Sequence, residues 1–133
     1  MELASFTEEK FALYSKYQQL VHNDPISKIK KSGFKSFLVD TPITVEPIPS
    51  LPGKAYGSYH GLYRLDGNLI AFSVIDILPG ALSSVYFVWD PDYSALGLGN
   101  LSALQEIGLT REWSLERYMM GFYIHVFVKM YYK

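Results

Sequence analysis

A chain of 133 residues with a formal net charge of −1 carries no field strong enough to gather nucleic acid non-specifically. It has no cysteine, which excludes a disulfide framework and any cysteine-held zinc or iron–sulfur centre. The length suits one domain burying about two-thirds of its unfolded surface, and no stretch reads as a signal peptide or a bilayer span, so a soluble intracellular protein is expected. The 11 Tyr and 8 Phe suit strands, interfaces and stacking pockets alike.

From Thr7 to Asn23, Phe11, Tyr14, Tyr17 (or Gln18) and Val21 recur at helical spacing. Ser5 with Glu8 fits a capping box, Thr7 is a competing cap, and Asp24-Pro25 closes the helix. A short second helix is expected over 33–38. Pro42, Pro47, Pro49 and Pro52 make residues 41–55 an extended connector inside the domain. Strands follow at 56–65 and 69–78, joined by the hairpin signal Asp66-Gly67. Pro79-Gly80 turns the chain into a third strand at 82–89. A helix is expected from Leu98 to Trp113, with Leu101, Leu104, Ile107 and Gly108 facing the sheet, and then one central strand from Tyr118 to Val126. The fold class is α/β (α+β): helices, a mainly antiparallel meander, a glycine loop opening a helix, and a further strand.

The residues able to carry chemistry are few. Asp76 lies inside the apolar strand Val74-Ile75-Asp76-Ile77-Leu78. A buried carboxylate costs several kcal/mol unless paired. With a raised pKa it would act as a general base, and paired with a cation it would anchor an ammonium or guanidinium. A structural carboxylate at a bulge fits equally well. Gly97-Leu98-Gly99 at a helix start offers free N–H groups to an anion, or simply eases a turn. His22, His60 and His125 lack zinc-ligand spacing, and no metal is expected. His60 and His125, in strands, are structural or shuttle protons. Tyr86, Tyr93 and Tyr123 fill the core or stack on a base. Lys28, Lys30, Lys31 and Lys35 form a solvated face or contact phosphate.

Several blocks together resemble the C-terminal catalytic domain of the eukaryotic arginyl-tRNA–protein transferases. They are Tyr56-Gly57-Ser58-Tyr59-His60, Leu65-Asp66-Gly67, the strand around Asp76, Ser83 to Tyr93, Leu96 to Gly99, and Tyr118 to His125. Upstream, Phe11, Tyr14, Lys16-Tyr17-Gln18, Val21-His22 and Ser32-Gly33-Phe34 fit as well. The resemblance implies a GNAT-like acyltransferase fold, here shortened at both ends, without the family's Cys-rich region and with an unpaired sheet edge that invites self-association. It implies transfer of arginine from Arg-tRNA, a co-substrate with no further cofactor, to proteins beginning with Asp or Glu, in the cytoplasm and also the nucleus. Asp76 and His125 would be catalytic. Gly97, Leu98, Gly99, Asn100 and Tyr93 would hold the donor end, and Arg111, Lys129, Tyr123 and His60 the acceptor. Val126-Phe127-Val128 stands where the family has Ser-Cys-Pro. An acyl-CoA-dependent GNAT enzyme, or a non-catalytic interaction fragment, are the alternatives. Against the first, Tyr93-Ser94-Ala95-Leu96 brings no Arg or Gln before the glycines.

Overall fold

A computed structural model describes residues 1–120 and the strand backbone of 123–126. A central sheet carries helices on both faces. Its strands are β1 (Glu2–Leu3), β2 (Glu46–Pro47), β3 (Ala55–Leu65), β4 (Asn68–Leu78), β5 (Ala81–Trp89), β6 (Arg117–Met120) and β7 (Tyr123–Val126). The order is β1-β3-β4-β5-β6-β7, with β2 beside the start of β3. Every pairing is antiparallel except β5 with β6, which the crossover helix α3 (Leu98–Glu112) makes parallel. This is the mixed α/β, acyltransferase-like architecture expected.

Helix α1 (Glu8–Val21) is capped by Thr7, whose side chain accepts from the Lys10 N–H, so Thr7 rather than Ser5 begins it. Its last helical residue is Val21, with His22 as the C-cap. The second helix, α2 (Lys31–Phe34), runs on into a π turn at Lys35–Val39. Asp66 and Gly67 both adopt positive φ (52° and 82°), the geometry a two-residue hairpin turn requires.

α1 and α2 cover one face of the sheet. Leu13, Tyr14, Tyr17, Phe34 and Leu38 pack there against Phe72, Val74 and Val88. Phe34 is fully buried and meets Phe6, Phe11 and Tyr14 edge to face. Lys10 is buried too, donating to the Glu2 carboxylate at 2.6 Å and to the Ser5 carbonyl and hydroxyl, which fastens β1 to α1.

α3 covers the other face, and here the sequence expectation fails. Leu101 and Leu104 are exposed (41% and 68%), and the buried residues of the helix are Leu98, Ser102, Glu106 and Thr110. Ile107 is partly buried against the Ile75, Ile77, Leu82, Trp113 and Tyr118 core. The helix is rotated because a polar stripe at i, i+4 spacing meets hydroxyls on the sheet, and satisfied hydrogen bonds replace apolar contact.

The expected single strand at 118–126 is two. β6 pairs with β5, and β7 folds back on β6 with Met120 opposite Tyr123. An unbroken apolar run gives no period by which a turn inside it can be placed.

Candidate functional site

Two regions of β5 define the site. β6 pairs with β5 only at residues 81–84. The β4–β5 register shifts between Val74/Tyr86 and Ile75/Ser84, which leaves Val85 as the extra residue of a bulge. Among the described residues, β5 has no strand partner on its outer side from Val85 to Trp89. Among the described residues no strand takes up the backbone groups of that edge, the geometry by which an extended ligand adds to a sheet.

At the far end of this edge lies the glycine loop. Gly97 takes a left-handed conformation (φ 63°, ψ 41°) and opens α3 with no side-chain cap. The first amides of the helix, on Leu98, Gly99 and Asn100, therefore have no side chain of residue 97 to bond, and the positive end of the helix lies there. Trp89, Ser94, Gly97, Leu98, Gly99 and Asn100 line a cavity of about 260 Å³ at this point. Tyr93 is half-buried and packs on Ile70, Ala71 and Leu98, so most of its ring serves packing. The loop is held to α1 by Lys16, whose Nζ lies 2.8 Å from Asp90 and 2.7 Å from Asp92.

At the near end lies Asp76, opposite Ser83 on β5 and Ser58 on β3. It is half-buried rather than enclosed, and its Oδ1 accepts from the Ser58 hydroxyl at 2.6 Å. Ser83 and Trp89 pair with Asp76 and Ala71, five residues apart on β4. That spacing sets Asp76 about 17 Å along the sheet from the glycine loop. Asp76 thus lies on β4 beside the end of β5 that β6 covers, and the expected donor loop lies past the other end.

The acceptor set is not brought together. His60 is fully buried on the α1/α2 face, with Nε2 2.8 Å from the Leu38 carbonyl and its ring 5.4 Å from Phe72. Desolvation lowers its pKa to about 4, and Nδ1 has no partner. A ring with no exposed surface packs the core; it does not reach an acceptor, and the acceptor role expected of it is withdrawn. Arg111 is exposed in the last turn of α3, across the sheet from Asp76. Tyr123 and His125 lie on the β7 backbone, and Lys129 and Phe127-Val128 fall outside the described residues.

Two groups escaped the sequence reading. Glu106 is 4% exposed, accepting from Tyr118 Oη at 2.6 Å and Ser102 Oγ at 3.2 Å. Burial raises its pKa, and the same burial together with the carboxylate raises that of Tyr118. The i, i+4 series Ser102-Glu106-Thr110 was the available signal. The second group surrounds Tyr86, whose hydroxyl is 3.3 Å from Gln18 Oε1 and 3.4 Å from His22 Nε2. Among the described residues no three His, Asp or Glu side chains converge to hold a metal ion, and no helix is long and apolar enough to cross a membrane.

A family model described as arginine-tRNA-protein transferase, C terminus, matches residues 9–133. The chain is 46% identical to arginyl-tRNA–protein transferase 2 of Arabidopsis thaliana, over 100% of this chain and 24% of the relative. It is 49% identical to arginyl-tRNA–protein transferase 1 of Drosophila melanogaster, over 94% of this chain and 26% of the relative. An aspartate/glutamate leucyltransferase of Pseudomonas fluorescens is 34% identical over 96% of this chain and 49% of its own length. The chain spans about a quarter of the length of the arginyltransferase relatives.

Proposed function

The chain belongs to the arginine-tRNA-protein transferase family, and on that premise we propose that it carries the aminoacyl-transfer site, moving arginine from Arg-tRNA to the α-amino group of an acceptor protein. The stretch of β5 from Val85 to Trp89, unpaired on its outer side among the described residues and lying between an uncapped helix start and the neighbourhood of Asp76, is the observation that supports this most. A donor phosphate on the Leu98, Gly99 and Asn100 amides would let the single-stranded acceptor end lie along β5, with Trp89 beside it as a stacking surface. The aminoacyl ester then comes to the bulge at Val85, near Asp76. There Asp76, oriented by Ser58, serves as base or ammonium anchor, and alignment supplies the rest of the rate without a covalent enzyme intermediate.

Relatives named for arginine and for leucine both match along the chain, which supports a shared transfer site and leaves donor choice to a few side chains. The leucyltransferase is named for aspartate and glutamate, which supports acceptors beginning with Asp or Glu. Arg111, Lys129 and Tyr123 remain the candidates from the sequence for reading that acceptor, and His125 a candidate for catalysis beside Asp76, with no cofactor beyond Arg-tRNA, action in the cytoplasm and nucleus, and self-association through a sheet edge.

The test is transfer of labelled arginine from Arg-tRNA to peptides beginning with Glu or Ala, by this chain and its Asp76→Asn variant. Glu-selective transfer that falls about 100-fold in the variant is expected. A folded chain that transfers nothing would remove catalysis by this chain alone.

A further inference from the structure

The transfer site leaves unused a cluster of four lysines. Lys28, Lys30, Lys31 and Lys35 fall within residues 25–39, which hold no Asp or Glu. The whole chain nets −1, so the other residues net −5, and this segment is a cationic patch on an anionic body. All four residues are exposed, from the 3-10 turn Ile26–Lys28 through α2 to the start of the π turn. Among the described residues Lys28, Lys30 and Lys35 pair with no carboxylate. Lys31 and Lys35 stand over the Phe6 ring, 5.9 and 5.0 Å from its centroid, so the patch presents charge rather than ring surface there.

Helix α1 joins this patch to the donor loop. Lys31 Nζ lies 2.8 Å from Glu8 Oε1 in the first turn of α1, and Lys16 of the same helix holds Asp90 and Asp92 of the loop. Glu8 and Lys16 are about 12 Å apart along the helix axis. A groove of about 510 Å³ covers that distance, lined by Glu8, Ala12, Ser15, Lys16, Gln19 and Leu20. These residues form the face of α1 opposite its buried Leu13, Tyr14 and Tyr17. The carboxylates of α1, Glu8 and Glu9, are each met by a cation, Lys31 at 2.8 Å and Arg64 at 2.9 Å. Neither presents an unpaired charge to an approaching anion. We propose that the paired stem of the donor RNA lies across this face, its phosphates on Lys28, Lys30 and Lys35 and its ribose hydroxyls toward Ser15 and Gln19. The single-stranded end then continues past Lys16 into the donor loop. The inference rests on the transfer reading for the identity of the RNA, and its binding test does not depend on transfer. A single strand is held by stacking on exposed rings, whereas the patch offers point charges. A paired stem is held by phosphate and 2′-hydroxyl contacts, which those charges and the polar groove supply. The position beside the donor loop favours RNA over an acidic polypeptide.

The probes are deacylated tRNA, a hairpin of its acceptor stem, and an oligonucleotide of its single-stranded 3′ end, each titrated into the 133-residue chain over a range of salt. The tRNA and the hairpin should bind, and the 3′ end should bind far more weakly. A triple variant, Lys28→Gln with Lys30→Gln and Lys35→Gln, should bind tRNA and hairpin about 30-fold less tightly at about 0.1 M salt. Its slope of log affinity against log salt should be shallower by about 2.5. It should melt with the parent, because all three positions are exposed. Lys28→Arg with Lys30→Arg and Lys35→Arg keeps the charge and should bind as the parent does. Lys54→Gln, over the Trp113 ring and outside the patch, should change binding by less than about twofold. In the transfer assay the glutamine variant should raise KM for Arg-tRNA and hold kcat. Unchanged tRNA affinity or salt slope in that variant would overturn the patch, as would a parent that binds no RNA at low salt. An equal loss for the 3′ end would overturn the paired stem as its occupant. A polyglutamate peptide that binds more tightly than the hairpin, and loses binding in the same variant, would give the surface to an acidic protein. A chain that binds RNA through these lysines but transfers no arginine loses the transfer reading and keeps this one.

Discussion

The two faces of the sheet are built on opposite principles. The α1/α2 face is joined by aromatic and aliphatic contact around Phe34 and Phe72, with His60 and Lys10 as fully buried ionisable groups. The α3 face is joined at its centre by a carboxylate ringed with hydroxyls, while Leu101 and Leu104 of the same helix stand in solvent. Apolar burial is non-directional and tolerates repacking. A buried carboxylate favours one rotation of α3, because turning the helix away would leave the buried Tyr118 hydroxyl without its acceptor. The rotation matters for function, since α3 begins at the donor loop and Tyr118 lies in the strand whose departure opens the edge of β5.

The contrast makes its largest prediction at Phe34. Phe34→Ala should cost about 4 kcal/mol in urea denaturation, as a fully buried ring surrounded by rings. Next, Glu106→Ala should cost about 3 kcal/mol, because Tyr118 and Ser102 lose their acceptor. Glu106→Gln should cost about 1 kcal/mol, since it keeps an acceptor. A variant Glu106→Ala as stable as the parent would show the two faces to be held alike.

His60 gives the first face a pH dependence. Its folded pKa is about 4, below the ordinary 6.5, so the unfolded chain binds the proton first. Stability from this group is full above about pH 6.5 and falls as pH drops toward 4, by up to about 3 kcal/mol. His60→Phe should flatten that part of a plot of stability against pH, after the carboxylates common to both chains are subtracted. A slope unchanged in the variant would mean the imidazole is not buried as a neutral group. Thr7→Ala should lower Tm by the equivalent of about 1 kcal/mol through the lost cap. Leu104→Ser should change stability by less than about 0.5 kcal/mol, where an inward-facing leucine would cost several times more.

Local signals carried most of the fold. The spacing of Tyr14, Tyr17 and Val21, the Asp66-Gly67 turn and the strand lengths around it are set by neighbours in the chain, and they emerged at nearly the expected positions. The glycine loop and Asp76 were visible as residue types in place. Their separation along β5 was not, because strand register fixes it. Glu106 escaped because hydrophobic periodicity assigns the leucine side of a helix to the core, and it has no term for hydroxyls waiting on the sheet. His60 was left between a packing and a functional role because a strand histidine looks the same whichever layer covers it.

The amino-acid order thus determined what short-range forces decide: where helices start, where hairpins turn, which family's blocks are present. The tertiary structure alone decided which side of α3 faces inward, where the run after Tyr118 turns back, and that His22 stands beside Tyr86 although 64 residues separate them. Those outcomes depend on pairings between distant segments, where a partner's hydroxyl, ring or edge fixes what a side chain does, and no local pattern records the partner.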